Sequence, residues 1–469
     1  MLPGVACGRL RCICLTPVTL RAHGRVMQNA RFALALAFAL SAQTAQASAP
    51  QPYVIAAPDG GAVLRVVTDA EACPAASVDG ARQPMTLRSP PRQFPPRPSA
   101  SGAAAARPSA FPLRVCEVAL PRGVKRASVN GQGVPVLPAV VRRIVVIGDT
   151  GCRLKQADNA WQACDDPRAW PFAAVARAAA ATKPDLVLHV GDYHYRENAC
   201  PEGQAGCAGS PWGYGWDAWD VDFLAPAAPL LAAAPWVVAR GNHEECARAG
   251  QGWWLLLDPH ALTPAADCAD PAQDADGNHT APYPVELGDG ARLIVADFAA
   301  LGEKALHGDA LERYLADAAR IGVLARAGDT NFLTAHYPLA AVVDKKGKLE
   351  IGSAATGDAF GTADRGPDLP GVTAMVAGHV HMLQYAVVRG RPVQIVNGFS
   401  GTQEDAPKAP ASLAEARAAG ADGALADVFS RFGVFGFGLL DRLADGRWRY
   451  SALDQNGKTL FSKVIARVP

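Results

Sequence analysis

The chain has 469 residues, of which 49% are hydrophobic and 19% charged. That excludes a disordered or fibrous protein and allows two or three domains around a large core. The formal net charge is +1, so no basic field points to a nucleic-acid partner.

At the N-terminus, Arg31 precedes an apolar run from Phe32 to Leu40, followed by small residues. Ala45-Gln46-Ala47 and Ala47-Ser48-Ala49 have the small-x-small form of a signal-peptidase site, and the run is too short to span a membrane. Residues 1–49 are expected to be a secretory signal peptide, with Met27 the expected start and the residues before it an overhang. Removing 1–49 takes away five Arg and no acid, leaving 40 basic against 44 acidic residues. The mature chain is then mildly acidic and is expected to be secreted or periplasmic, with no other stretch long and apolar enough to cross a membrane.

Eight Cys remain after residue 49. An even count in an exported chain favours disulfides, and pairing of sequence neighbours is expected: 73–116, 152–164, 200–207 and 246–268. A thiolate zinc site is the alternative, but the sequence has no C-x-x-C pair.

Residues 50–88 hold short β-like runs such as Ala62 to Val67. Residues 89–110, rich in Pro, Arg, Ser and Ala, read as a mobile loop or linker, and Val115 to Leu120 is strand-like again. A small β-rich N-terminal domain over 50–140 is expected, with a second domain over 141–469. In the second, apolar strands alternate with helices: strands at 143–147, 185–190, 235–239, 292–298, 331–335 and 373–377, helices at 169–181, 223–234 and 309–326. Continuous apolar strands require cover on both faces, which makes the fold class α/β. Near the C-terminus, Val434 to Asp441 and Arg447 to Asp454 flank Ala444-Asp445-Gly446, a hairpin signal.

Five of these strands end in residues of metal-ligand type: Gly148-Asp149-Thr150-Gly151, Gly191-Asp192-Tyr193-His194-Tyr195, Gly241-Asn242-His243-Glu244, His336-Tyr337-Pro338 and Gly378-His379-Val380-His381. Ligands gather at the carboxyl ends of strands in α/β sheets, so the five segments are expected to converge.

The order GDTG, GDYHY, GNHE, a lone His, then GHVH resembles the calcineurin-like metallophosphoesterase superfamily. That resemblance spans residues 148–381 and implies a four-layer sandwich, two central mixed β-sheets flanked by helices. Gly151 stands where most of the superfamily has His, and Tyr195 stands three residues after Asp192. The pair GDxG with GDxxY resembles the purple acid phosphatases, in which the Tyr phenolate binds a ferric ion. Carried onto this chain, Asp149, Asp192, Tyr195 and His381 would hold Fe(III). Asp192, Asn242, His336 and His379 would hold a divalent ion (Zn, Fe or Mn), with Asp192 the bridge. A hard ferric ion favours anionic oxygen, and a divalent partner accepts imidazole and amide.

The activity so implied is hydrolysis of a small-molecule phosphate monoester by a metal-activated hydroxide. His243 would protonate the leaving oxygen, or with Asn242 bind the phosphate, and Glu244 is placed to orient His243. Two alternatives stand: a phosphodiesterase or nucleotide pyrophosphatase on the same site, and a non-catalytic metal-binding surface protein. Weaker candidates carry two readings each. His194 either touches substrate or packs, and Arg240 either reaches phosphate or pairs with an acid. Asn397 belongs to the site or to a turn. Trp212, Tyr214, Trp216 and Trp219 line the mouth or the core, while His189 is expected to be a satisfied core residue. Residues 196–222 and 404–427 are the expected specificity loops.

Overall fold

The computed structural model describes residues 52–466, except 98–100, 103–104, 264–266, 346, 362–368, 405–408 and 422. The expected signal peptide lies outside the described residues. Among those described, no helix is long and apolar enough to cross a membrane.

Two mixed sheets stack face to face. The first has ten strands, in the order Thr459–Val464, Trp448–Asp454, Gly436–Arg442, Arg143–Ile147, Leu186–His189, Trp236–Val238, Tyr53–Ala56, Ala62–Thr68, Arg114–Leu120 and Thr86–Ser89. The middle four, from Arg143–Ile147 to Tyr53–Ala56, run parallel. The second has seven strands, Tyr283–Gly288, Ala291–Val295, Thr330–Thr334, Val372–Ala377, Val393–Asn397, Leu383–Val388 and Leu425–Arg431, again with a parallel centre.

Side chains alternate across a strand, and here both faces are apolar. Ile144, Val146, Leu186 and Leu188 share a core with Leu293, Phe332, Val376 and Ile395 between the sheets. Val145, Ile147 and Val187 point the other way, into a core with the helices Phe172–Ala181 and Ala225–Leu231. On the far side, Ile294, Leu333 and Met375 lie under the helices Gly308–Ala325 and Ala354–Phe360. Each such side chain contributes roughly 1.5–3 kcal/mol on burial. The helix–sheet–sheet–helix sandwich is the one implied by the sequence.

The boundary expected at residue 140 does not separate the sheets. Four strands of the 50–140 segment extend the first sheet, and Ile55 pairs in parallel with Trp236. The reason is burial: Tyr53–Ala56 is covered throughout its length, which requires both a neighbouring strand and a second layer. A four-stranded sheet built from Ala75–Val78, Ala81–Pro84, Ala127–Val129 and Gln132–Val134 is local to this segment. Nor is 89–110 a free linker in its described part. Arg92–Phe94 pairs with Ser109–Phe111, and the Phe94 and Phe111 rings meet edge to face at 5.9 Å inside the first helical core. Arg97 donates to the carbonyls of Cys246 and Cys268.

All four neighbour pairings of Cys are present as disulfides. The hairpin read near the C-terminus forms between Gly436–Arg442 and Trp448–Asp454.

Candidate metal centre

Loops leaving the parallel strands of both sheets meet at one end of the sandwich. Three of the residues they carry have left-handed backbones although none is glycine: Asp149 (φ 54°), Asp192 (φ 56°) and His379 (φ 68°). Such conformations cost of order 1–3 kcal/mol each and persist only where the surroundings impose them. Buried carboxylates hold the surrounding backbone, and His379 N–H itself donates to Asp149 Oδ2 at 3.2 Å. Glu244 accepts hydrogen bonds from the backbone N–H groups of Asp192, Tyr193, His194 and Gly241, at 2.9–3.1 Å. Asp222 accepts from the N–H groups of Cys152 and Tyr195, both at 2.7 Å. Two glycines are required by the same close packing. A β-carbon on Gly241 would lie 2.1 Å from Asp192 Oδ1, and one on Gly151 would lie 2.7 Å from both Asp222 Oδ2 and the Tyr195 nitrogen.

The side chains then converge. The Tyr195 hydroxyl lies 2.6 Å from Asp192 Oδ2, 3.2 Å from Asp149 Oδ1 and 2.7 Å from His381 Nε2. His381 Nε2 is 3.4 Å from Asp149 Oδ1. On the other side of Asp192, Oδ2 is 3.2 Å from His336 Nε2. Asn242 Oδ1 completes that side, 3.0 Å from His336 Nε2 and 3.2 Å from His379 Nδ1. All seven expected residues therefore meet around Asp192. Asp149, Asp192 and His336 present buried ligand atoms within 4.8 Å of one another.

The cluster gathers buried acidic oxygens that a bound cation would stabilise. Burial, then the neighbouring Asp192 and Asp149 carboxylates, push the Tyr195 phenol well above its ordinary value. Burial would also raise the Asp192 carboxyl, but the His336 and His243 imidazoles hold it well below the usual range. A bound cation inverts such logic and favours every oxygen in its anionic form.

Each imidazole is aimed by what holds its other nitrogen. His336 Nδ1 faces the Val190 carbonyl at 3.0 Å, and His381 Nδ1 faces that of Gln403 at 3.2 Å. In both rings Nε2 is left for the cluster. His243 turns Nδ1 to Glu197 Oε1 at 2.7 Å and to the His194 carbonyl at 3.0 Å. Its Nε2 faces the cluster, 3.8 Å from Asp192 Oδ2.

The family model for calcineurin-like phosphoesterase matches residues 142–383, just over half the chain. The chain belongs to the calcineurin-like phosphoesterase family. Comparison with curated proteins gave no match. Among solved structures, this phosphoesterase is similar to a purple acid phosphatase from the seeds of yellow lupin (Lupinus luteus). The identity is 15%, the match covers 89% of this chain and 74% of that one, and the TM-score is 0.56. It is also similar to PhoD at 11% identity, over 89% of this chain and 92% of that one, with a TM-score of 0.48. At these identities the likeness is one of fold.

Around the phosphoesterase centre, the role expected of Glu244 changes, and the residues with two readings resolve. Glu244 does not orient His243. Its carboxylate is consumed by four backbone N–H groups, and Glu197, itself paired with Arg248, takes that place. Sequence reading missed Glu197 because nothing in its local pattern marks it. Arg240 is buried against Asp297, with its Nε at 3.0 Å from that carboxylate, and does not reach the cluster. Asn397 ties the sheets together, donating to the Val146 carbonyl and accepting from the Tyr450 hydroxyl, each at 3.0 Å. His189 is a satisfied core residue, paired with Thr150 Oγ1 at 3.0 Å. The His194 ring is buried between Tyr214 and Trp219, and both of those aromatics belong to the core beneath the helices.

A cleft of about 290 Å³ opens over the cluster, near the small end of ligand sites. Its further walls come from Arg153 and Lys155 on one side and from Glu303, Tyr337, Val343 and Lys345 on the other. Among the described residues, neither 196–222 nor 404–427 contributes to it. The loop beside Cys152 and the hairpin Val342–Lys345/Lys348–Ile351 stand there instead.

Proposed function

We propose that the chain is a secreted phosphomonoesterase of the purple acid phosphatase type. In this reading Asp149, Asp192, Tyr195 and His381 hold Fe(III), and Asp192, Asn242, His336 and His379 hold a divalent ion, with Asp192 shared. The observation that carries it is the Tyr195 hydroxyl within 3.2 Å of Asp149, Asp192 and His381. Three oxygens able to carry negative charge suit a hard trivalent cation, and the His-rich side of Asp192 suits a softer divalent one. When bound, the two ions would supply Lewis-acid stabilisation of phosphoryl charge and lower the pKa of water.

The protein's own groups do the rest. Asn242 and His243 bind the phosphoryl group at the floor of the cleft. An oxygen derived from water forms the new bond to phosphorus as the bond to the alcohol oxygen breaks. His243 gives its Nε2 proton to that departing oxygen, while Glu197 at Nδ1 fixes the ring and opposes burial and the Arg248 charge, which together lower the imidazole pKa to about 4. The products are phosphate and an alcohol. Export is supported by four disulfides, which persist in oxidising compartments.

The test is turnover of p-nitrophenyl phosphate against bis(p-nitrophenyl) phosphate by the metal-loaded mature protein. A clear preference for the monoester is expected. Preference for the diester would make the protein a phosphodiesterase on the same site, and turnover of neither would leave only a metal-binding protein.

A further inference from the structure

The three imidazoles of the cluster are not held alike. His336 and His381 each rest Nδ1 on a backbone carbonyl, which a sheet-borne loop keeps still. His379 is turned the other way. Its Nδ1 faces Asn242 Oδ1 at 3.2 Å, so its Nε2 must carry the proton if Nδ1 is to offer a lone pair. The acceptor facing Nε2 is Glu303 Oε1, at 3.5 Å. Glu303 does not belong to the buried frame, since its side chain is 51% exposed. Its other oxygen meets Lys345 Nζ at 3.1 Å, and Lys345 ends the first strand of the hairpin that walls the cleft. Both Glu303 and Lys345 line that cleft beside His379. The His379 ring is further steadied by Tyr337, whose ring centroid lies 3.9 Å away.

We propose that Glu303 is a positioning residue for the divalent-ion site: it fixes the tautomer and angle of His379, and through Lys345 it couples that ligand to the cleft hairpin. The inference rests on the dimetal reading above. A carboxylate on the distal nitrogen of a ligating His raises its basicity and fixes its orientation, and loss of such a partner weakens metal binding by about 10–100-fold. His336 and His381 need no such residue, because the backbone performs that task. His379 alone among the three depends on a flexible side chain, and that side chain is anchored on the cleft wall.

The experiment is chelator competition with Zn(II) as the probe, on full mature protein with iron already bound. The wild type, Glu303→Ala, Glu303→Gln and Lys345→Met are compared. Glu303→Ala is expected to weaken Zn(II) binding by about 10–100-fold. The Gln variant keeps an oxygen acceptor and should fall in between. The Lys345 variant should show a smaller loss, about threefold. The iron-to-tyrosinate band, which reports the other ion, should stay unchanged in all four. Because Glu303 sits half exposed on a turn, its variants are expected to fold. Equal Zn(II) affinity in wild type and Glu303→Ala overturns the proposal while leaving two metals in place. Loss of the iron band together with Zn(II) affinity also overturns it, since the residue would then be supporting the fold. A wild type that binds no metal instead overturns the dimetal reading itself.

Discussion

A β-carbon placed on Gly151 would lie 2.7 Å from the backbone nitrogen of Tyr195. Position 151 is thus closed to a side chain by the segment that supplies the phenol. Asp222 pins both sides of the contact, accepting from Cys152 N and Tyr195 N. Gly151→Ala is therefore expected to shift Tyr195 away from Asp149 and Asp192. Overpacking of this kind costs about 1–3 kcal/mol. Thermal melts together with the visible spectrum check it: a lower Tm and a weakened iron band are expected.

Tyr195→Phe removes one oxygen and leaves the ring. Its hydroxyl touches three of the other six proposed ligands, so the iron-to-phenolate absorption should vanish and iron content should fall. An active, colourless wild type without iron would contradict the ferric assignment and leave a dimetal site of other composition.

Glu197 is expected to matter through His243. Burial alone would raise its carboxyl pKa, but Arg248 and His243 hold it well below the usual carboxylate range. Glu197→Gln should lower turnover by about 10–100-fold with metal content unchanged. Arg248 then loses its buried counterion, so the Tm should fall too, and turnover must be compared well below it. Unchanged turnover would remove Glu197 from the support of His243.

Outside the cleft lining, His260 and Asp258 give a pH-dependent contribution to stability. Burial alone would lower the His260 pKa and raise that of Asp258, but their contact at 2.9 Å reverses both shifts. A raised His pKa stabilises fully below the unfolded value of 6.5 and is lost as pH rises through the folded one. A lowered Asp pKa stabilises above 3.8 and is lost as pH falls through the folded value. The pair therefore contributes most between those two values. Melts of wild type and His260→Asn should differ at pH 5 and converge toward pH 9, by less than about 1 kcal/mol because His260 is partly exposed.

The apolar strands and the convergence of their ends were legible in the sequence for a physical reason, while the four-layer sandwich and the particular seven residues followed from the resemblance to the metallophosphoesterases. Strands such as Arg143–Ile147 are buried on both faces, so they read as unbroken apolar runs, and four of the five carboxyl ends announce themselves as Gly-Asp, Gly-Asn or Gly-His, His336 following Ala335 instead. What escaped is long-range. Tyr53–Ala56 belongs to the central sheet through a partner 181 positions away, Ile55 with Trp236, and no local pattern encodes that pairing. Glu244 and Glu197 look alike in sequence. One is drawn to four backbone N–H groups and the other to His243 and Arg248, a difference set by the path of the loop after Asp192. The aromatic run 212–219 suggested a pocket mouth because amphipathic aromatics serve both uses. The helical layer over the first sheet claimed Trp219 for the core.

The most direct test measures metal content and turnover together, before and after chelation and readdition of ions. Two ions per chain are expected, one of them iron, with hydrolysis of p-nitrophenyl phosphate lost on their removal and restored on their return. Turnover that persists in metal-free protein, or an Asp192→Asn variant that keeps both ions and full activity, would contradict a centre built on the shared Asp192 carboxylate.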